Sequence, residues 1–406
     1  MNKWTKHALG EMSDSCLGKM LDKEKNKGSF QPYLANLNVR WGDFSLDNLQ
    51  EMRFEDDEQD RYGLVYGDLV ICEGGEPGRC SIWRDQVPNM KIQKALHRLR
   101  VKQGYSAEFL YYRILLAGRS GELNKHFIGS TIKHLTGIGL KQVEFNFPDE
   151  SEQLQIAAVL HSLDAKIELN NRINAELEAM AKTLFDYWFV QFDFPDANGK
   201  PYKTSGGKMV YNPTLKREIP EGWEAKELSE IANITMGQSP AGDSYNEDGK
   251  GAIFFQGSTD FGWLFPKTRQ YTTAPARMAK KGDILLSVRA PVGDMNIANN
   301  DCCIGRGLAA LNSKKGYEGF LFYVMKYFKQ IFDRRNSEGT TFGSITKNDL
   351  HSLKLAYPDE ELLKLYDGVV SNYNKMIFER SLENQQLIAL RDWLLPMLMN
   401  GQVTVK

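Results

Sequence analysis

Residues 148–185, PDESEQLQIAAVLHSLDAKIELNNRINAELEAMAKTLF, and residues 358–395, PDEELLKLYDGVVSNYNKMIFERSLENQQLIALRDWLL, share one helical period. In both stretches apolar residues recur at intervals of three and four, which is the spacing of one face of an α-helix. The two stripes match at a constant offset of 210 and consist of Ile156, Leu160, Leu163, Ile167, Leu177, Met180 and Leu184, and of Tyr366, Val370, Tyr373, Ile377, Leu387, Leu390 and Leu394. Each stretch predicts a long spacer helix of roughly 35 to 40 residues.

Asn174 and Asn384 occupy equivalent positions in these two stretches. A polar residue in an otherwise apolar seam can fix the register of a helix pair at some cost in stability. An asparagine on a solvated face is the alternative, and the pattern leaves both open. Pro148 and Pro358 precede the helices, and the acidic residues that follow them oppose the helix dipole in the first turn.

The repeat extends beyond the helices. Three further pairs of segments keep the same order in both halves of the chain: WTKHALGE at 4–11 with WEAKELSE at 223–230, GDLVIC at 67–72 with GDILLS at 282–287, and IQKALHRL at 92–99 with IGRGLAAL at 304–311. The offset falls from 219 through 215 and 212 to 210. This drift is expected when loops change length and the scaffold does not.

These observations predict an α+β fold with an internal pseudo-two-fold repeat, because each half mixes short β-rich runs with amphipathic helical segments. The segment between the halves is dense in proline, glycine and lysine and predicts a linker. The predicted organisation is a first globular domain at 1–147, a spacer helix at 148–190, a linker at 191–220, a second domain at 221–357, and a second spacer helix with a tail at 358–406.

Composition restricts the class of protein. The chain has 406 residues, 42% of them apolar and 25% charged, which is enough to bury the cores of several domains. No apolar run reaches the roughly 18 residues of a membrane helix, and the start lacks the apolar core of a signal peptide, so we expect a cytoplasmic protein. The five cysteines form no C-x-x-C pair and predict neither disulfides nor a zinc site.

The helices suggest a spacing function. A helix of this length spans roughly 60 Å at about 1.5 Å per residue, whereas one turn of B-DNA is about 34 to 36 Å. If the two helices pair antiparallel, they could hold two readers on two half-sites, which should differ because the domains differ in sequence. The net charge of −1 argues against a lone, tight DNA binder, so phosphate contacts would be local or shared with a partner.

Several segments resemble the specificity subunits of type I restriction-modification systems. They are LFDYWFVQFDFPDANGKPYKTSGG at 184–207, IPEGW at 219–223, LLPMLMNGQV at 394–403, IGRGLAAL at 304–311, FGSITKNDL at 342–350 and GDLVICEGGEPGRCSIW at 67–83. The resemblance covers nearly the whole chain. It implies two target-recognition domains, each reading half of a split, asymmetric double-stranded DNA target, on an antiparallel coiled coil that sets the gap.

The resemblance also implies partners. Two modification subunits would dock on the helices and bring S-adenosylmethionine and the adenine methyltransferase site. Restriction subunits would add ATP- and Mg-dependent translocation and cleavage. The chain itself would bind no cofactor and no metal.

Candidate DNA contacts lie in basic and amide-rich stretches. KIQKALHRLRVK offers five cations, and several loops offer side chains suited to base edges in the major groove. A solvated face and ordinary turn chemistry are the respective alternatives. The candidates are Asn36, Asn38, Arg40, Arg79, Lys91, Lys94, Arg98, Arg100 and Lys102 in the first domain, and Gln238, Ser239, Gln256, Ser258, Thr259, Arg289, Arg306 and Lys347 in the second.

The sequence has two alternative interpretations. An adenine methyltransferase needs an Asn/Asp-Pro-Pro-aromatic motif and a glycine-rich cofactor loop, and an ATPase needs a P-loop; the sequence contains none of these. We therefore predict no catalytic residues. A coiled-coil adaptor that contacts only proteins is the second alternative, and it predicts that reversing the charges of the basic stretch leaves DNA affinity unchanged.

Overall fold

The computed structural model describes residues 4–20, 22, 26–337 and 344–405. Residues 1–3 of the predicted first domain, residue 406 of the predicted tail and the first two residues of FGSITKNDL lie outside the described residues. The chain divides into two compact units, one formed by Met1–Glu168 with Gln385–Lys406 and the other by Leu169–Asn384. Each unit therefore holds one globular domain and a part of both long helices.

The first unit is a mixed helix-and-sheet structure. Its strands are β1 (Thr5–Ala8), β2 (Ser13–Leu17), β3 (Ser29–Leu34), β4 (Val39–Arg40), β5 (Asp43–Phe44), β6 (Gln50–Phe54), β7 (Leu69–Cys72), β8 (Cys80–Ile82), β9 (Lys91–Ile92), β10 (Leu96–Val101) and β11 (Glu144–Phe147). Its helices are α1 (Leu9–Met12), α2 (Gln59–Tyr62), α3 (Ala107–Ser120) and α4 (Gly137–Lys141), and the long α5 (Glu150–Phe185) begins here. The sheets have the strand orders β2-β10-β7-β8, β6-β3-β9, β1-β11 and β4-β5.

The second unit repeats this plan. Its strands are β12 (Met209–Asn212), β13 (Arg217–Pro220), β14 (Glu224–Glu227), β15 (Ala232–Met236), β16 (Tyr245–Asn246), β17 (Ala252–Phe255), β18 (Gln270–Thr272), β19 (Met278–Ala279), β20 (Ile284–Ser287), β21 (Met295–Ile297), β22 (Cys302–Ile304), β23 (Leu308–Ser313) and β24 (Lys354–Tyr357). Its helices are α6 (Leu228–Ile231), α7 (Glu318–Ser337) and α8 (Lys347–His351), and α9 (Glu360–Met399) begins here. The order β15-β23-β20-β21 copies β2-β10-β7-β8.

The repeat also holds at the level of single hydrogen bonds. The parallel pairing of β3 with β9 returns as the parallel pairing of β17 with β22. The amide of Leu9 donates to the carbonyl of Val143 at 2.9 Å, and its equivalent Leu228 donates to Leu353 at 2.8 Å. The α+β fold and the internal repeat expected from the sequence are thereby confirmed.

The two long helices run antiparallel within the second unit. Asn170 Nδ2 donates to Asn384 Oδ1 at 2.9 Å, whereas further along α5 the carbonyl of Ala181 accepts from Tyr366 Oη at 3.3 Å. Residue numbers therefore rise on one helix as they fall on the other. In the first unit, Arg391 Nη1 lies 2.8 Å from Asp164 Oδ1.

Most of the predicted stripe faces the helix seam. Ile156, Leu160, Tyr366, Val370 and Ile377 are buried, and seven further positions are half-buried: Leu163, Ile167, Leu177, Leu184, Tyr373, Leu387 and Leu394. Met180 and Leu390 are exposed, so their assignment to the stripe was wrong. The seam steps to Ala181 instead, because it keeps a repeat of seven residues.

Asn174 and Asn384 lie in this seam, and the alternative of a solvated face is excluded because Asn174 is 0% exposed. Asn174 Nδ2 donates to Ser381 Oγ at 3.3 Å, and Asn384 Nδ2 donates to Asn171 Oδ1 at 2.8 Å. The polar pairs join residues of the two helices, which is the arrangement expected of register-fixing side chains.

The linker is packed rather than loose. Phe192 of the linker is buried in the core of the second unit against Trp223, which follows the linker, and β12 pairs with β13 inside the linker. Asp193 accepts hydrogen bonds from the amide and hydroxyl of Thr204 at 2.7 Å. Among the described residues, no helix combines the length and apolarity needed to cross a membrane.

Candidate nucleic-acid interface

Three loops of the second domain are tied together at the carboxyl ends of β17, β20 and β22. The amide of Gly305 donates to the carbonyl of Phe255 at 2.8 Å, and that of Gly307 donates to Gln256 at 3.2 Å. The amide of Val288 in turn donates to the carbonyl of Gly307 at 2.9 Å. These backbone bonds give the loops fixed positions, so the side chains between them are presented from a firm base.

Close backbone approach explains the glycines of IGRGL. A Cβ atom at Gly307 would lie 2.7 Å from the carbonyl oxygen of Gln256, and one at Gly305 would lie 3.0 Å from the Cα of Gln256. Contacts this short require the neighbouring backbone to shift. Between the two glycines, Arg306 is the residue that can carry a side chain outward.

The loops enclose a cleft of about 320 Å³. Five residues predicted from the sequence as DNA contacts line it together with four others that the prediction missed; the full lining is Gln256, Gly257, Ser258, Thr259, Ser287, Arg289, Ala290, Arg306 and Gly307. No carboxylate is among them. The cleft therefore presents amide, hydroxyl and guanidinium groups to solvent and carries positive charge.

Arg289 and Arg306 supply that charge. Both are exposed, and neither guanidinium forms a hydrogen bond or an ion pair with another described residue. Their backbones are held, because Ser287 Oγ donates to the carbonyl of Arg289 at 2.8 Å and the amide of Arg306 donates to Ser239 Oγ at 3.3 Å. The arrangement leaves both side chains available to an external acceptor.

Gln238 and Lys347 are exposed but do not line the cleft. The amide of Gln238 donates to the carbonyl of Ile304 at 3.0 Å, so this residue flanks the cleft wall. Lys347 is the first residue of α8, directly after the capping side chain of Thr346. DNA contact by these two residues stays a prediction.

The first domain has the same three loops, but its equivalent of the cleft is filled. The amide of Gln93 donates to Leu34 at 3.0 Å, which copies the bond between Gly305 and Phe255. Here, however, Asn36 Nδ2 donates to the carbonyl of Gly74 at 2.5 Å, and Arg79 Nη2 donates to Asn36 Oδ1 at 2.7 Å. The asparagine thus bridges the loops that follow β3 and β7.

Comparison with known families identifies this architecture. Residues 1–179 and 220–364 match the family described as the type I restriction modification DNA specificity domain. The chain belongs to this family. The two matched segments span the two predicted globular domains, and the predicted resemblance to specificity subunits is confirmed.

Individual members of the specificity family resemble the chain over most of its length. A putative type I restriction enzyme MjaX specificity subunit of Methanocaldococcus jannaschii is 35% identical over 85% of this chain and 80% of its own. The MjaIX specificity subunit of the same organism is 29% identical over 75% and 71%. The crystal structure of a type I S subunit from M. genitalium aligns with a TM-score of 0.58 at 18% identity, covering 98% of this chain and 96% of that one, and so shares the fold.

Other predicted contacts in the first domain hold the fold together. Asn38 is 5% exposed; its Oδ1 accepts from the amide of Ala35 at 2.8 Å and its Nδ2 donates to Ser45 at 3.0 Å. Arg40 is exposed, and its guanidinium donates to the carbonyls of Leu37 and Val39. The turn-chemistry alternative therefore describes Asn38 well.

The basic stretch does not form one exposed patch. Lys91 is 1% exposed, and burial lowers its pKa. Arg98 is buried and donates to the carbonyls of Asp60 and Gly63. Arg100 forms a bidentate pair with Asp68 at 2.8 Å, and this hydrogen bonding raises the pKa of Arg100.

Only Lys94 and Lys102 of that stretch are exposed. Lys102 Nζ donates to the carbonyl of Glu11 at 2.9 Å. Five cations close together in the sequence predict a single cationic surface, whereas β9, a turn and β10 distribute them over two sheets. DNA contact remains a prediction for these two lysines.

Sequence reasoning also missed functional positions. Gly257, Ser287, Ala290 and Gly307 line the cleft and are not among the predicted contacts. A signal for Gly307 was present in the repeat, because IGRGL aligns with IQKAL and replaces side chains by glycines on either side of the arginine. Among the described residues, no group of three or more His, Cys, Asp or Glu is placed to hold a metal ion.

Proposed function

We propose that this chain supplies DNA sequence specificity to a type I restriction-modification complex by reading a split, asymmetric target with its two domains. The observation that carries the proposal is the cleft of the second domain, whose lining combines an amide, hydroxyls and two guanidinium groups without a partner among the described residues, and contains no carboxylate. Arginine, glutamine and serine or threonine are the side chains that distinguish base edges in the major groove.

The asymmetry of the target follows from the differences between the two domains. Arg289 of the second domain corresponds to Gly74 of the first, by the alignment of GDILLS with GDLVIC. Arg306 corresponds to Lys94, by the alignment of IGRGL with IQKAL. A reader with two guanidinium forks and a reader with one ammonium select different bases. The two halves of the target are therefore expected to differ.

Methylation and cleavage would belong to partners. Two modification subunits would dock along the long helices, where a groove of about 440 Å³ in the second unit is lined by Ala179, Met180, Thr183, Leu184, Tyr187 and Tyr373. Met180 is 53% exposed there, and an exposed apolar side chain on a spacer helix favours burial by another protein. S-adenosylmethionine would bind the modification subunits, and ATP and Mg the restriction subunits.

The complex would act in the cytoplasm on the cell's own DNA. Partners that contribute phosphate contacts would explain how a chain with a net charge of −1 takes part in DNA binding. This division of labour leaves base reading to the present chain and most of the salt-dependent affinity to the assembly.

The test is to co-express the chain with the modification subunits encoded beside its gene and to map N6-methyladenine over a genome by single-molecule sequencing. The proposal expects one motif with two unlike halves and a fixed gap. A complex without the chain is the control and should yield no motif. A continuous palindrome, or methylation unchanged by removing the chain, would contradict the proposal and favour a coiled-coil adaptor.

A further inference from the structure

The two arginines give the cleft of the second domain a surplus of hydrogen-bond donors. Arg289 and Arg306 each present a planar guanidinium with N–H groups only, and the acceptors among the lining side chains are the amide oxygen of Gln256 and hydroxyl oxygens, since the lining contains no carboxylate. A ligand that displays several acceptors close together matches the two guanidinium groups. A ligand that displays amino groups to them is disfavoured, because N–H groups would then face N–H groups.

Only one base has this pattern in the major groove. Guanine shows two adjacent acceptors, N7 and O6, whereas adenine and cytosine both expose an amino group. A guanidinium fork matches the two guanine acceptors with two parallel hydrogen bonds. We infer that Arg289 and Arg306 read guanine in the half-site of the second domain; the inference rests on the proposed function and specifies the base.

The loops favour a base edge over a phosphate as the ligand. Arg306 projects from a turn whose flanking glycines are pinned against the carbonyl of Gln256, so its Cα position is fixed. Gln256, Ser258 and Thr259 stand beside it and offer further amide and hydroxyl groups within the same cleft. A phosphate can be held by charge from many positions, whereas a base edge is read by hydrogen-bonding groups that stand at fixed places relative to one another.

The first domain cannot read guanine in this way. Lys94 stands at the position of Arg306, and an ammonium acts as a point charge rather than a fork. Gly74 stands at the position of Arg289, and its carbonyl is occupied by Asn36. The guanidinium of Arg79 is used internally, since it donates to Asn36 and to Glu76.

Arg306→Lys and Arg289→Lys separate the two modes of binding, because each keeps the charge and removes the fork. Each complex is assembled with its modification subunits, and its methylation motif is mapped. The wild-type half-site of the second domain should contain at least one fixed guanine. Each Arg→Lys variant should relax the preference at one such position by roughly 5- to 150-fold, the range for one bidentate pair.

Two controls accompany these variants. The half-site of the first domain is an internal control and should not change. Lys250→Arg alters an exposed second-domain cation that neither lines the cleft nor is a candidate DNA contact, and should leave the motif as it is.

The outcomes distinguish the inference from the function beneath it. A relaxed guanine position in the lysine variants supports the inference. A split motif that both lysine variants leave intact, or a second half-site without a fixed guanine, overturns the inference and preserves the proposed function. A wild-type complex that yields no split motif overturns both.

Discussion

Replacing Asn174 by leucine should make the second unit more stable. The side chain is 0% exposed, its Oδ1 has no hydrogen-bond partner among the described residues, and its Nδ2 makes one long bond of 3.3 Å to Ser381 Oγ. Ser381 loses little, because its hydroxyl already donates to the carbonyl of Ile377 at 2.7 Å. Removing a buried, unsatisfied carbonyl and adding apolar surface to the seam should raise the free energy of unfolding by about 1–2 kcal/mol.

A gain of that size corresponds to a rise in Tm of about 2–8 °C for a unit of roughly 200 residues. Differential scanning calorimetry of the full chain measures it. Asn170→Leu is the matched control, because Asn170 donates to Asn384 Oδ1 at 2.9 Å and its loss removes the donor to that buried oxygen. That variant should lose about 1–3 kcal/mol. If both variants lower Tm equally, the two asparagines act as one indispensable cluster and the reasoning is wrong.

Three further outcomes follow from single contacts. Gly307→Ala should disturb the cleft and destabilise the second unit by about 1–3 kcal/mol. Gly257→Ala is the control and should be tolerated, because a Cβ atom at Gly257 meets nothing within 4 Å. Equal Tm values for the two variants would contradict this prediction. In a double-mutant cycle on thermal unfolding, Arg391→Met and Asp164→Asn should show a coupling free energy of about 0.5–3 kcal/mol, because Arg391 Nη1 lies 2.8 Å from Asp164 Oδ1. Strictly additive changes in the free energy of unfolding would show that the two side chains do not interact. Burial raises the pKa of the Cys72 thiol to about 11, so about one thiol in a thousand is ionised at pH 8. Iodoacetamide should therefore alkylate Cys72 at least 100-fold more slowly in the native chain than in urea. Similar alkylation rates would refute the burial of Cys72.

The helices and the repeat were predictable because they rest on periodicity. Leu160 and Val370 were placed correctly from spacing alone, since burial on one helix face imposes a period that the sequence records. Met180 was misplaced because the stripe was continued three residues after Leu177. A seam with a seven-residue repeat continues four residues after Leu177, at Ala181. Ala181 and Asn170, which do lie in the seam, are too small or too polar to be noticed in a search for apolar letters.

The candidate site was predicted well in the second domain and poorly in the first. In the second domain, amide, hydroxyl and guanidinium side chains pointed to five residues that converge: Gln256, Ser258, Thr259, Arg289 and Arg306. They converge because the parallel pairing of β17 with β22 brings three loops together. The first-domain candidates were chosen by the same chemistry. Burial decides their role, and it depends on contacts between residues distant in sequence, which a single sequence does not display.

Lys91 shows this most clearly. Its ammonium donates to Gln31 at 2.8 Å, 60 positions earlier in the chain, and lies 5.7 Å from the ring centre of Phe54. A lysine in a strand of alternating polar and apolar residues predicts an exposed side chain, because burying an ammonium is costly unless partners are present. Here the partners are supplied by tertiary structure.

The most direct measurement exchanges the first recognition domain. Residues 1–147 are replaced by the corresponding domain of a relative that reads a different sequence, and the methylation motif of the assembled complex is mapped again. Two independent readers on one spacer predict that a single half-site changes while the other half-site and the gap stay the same. A change in both half-sites, or in neither, would contradict the account.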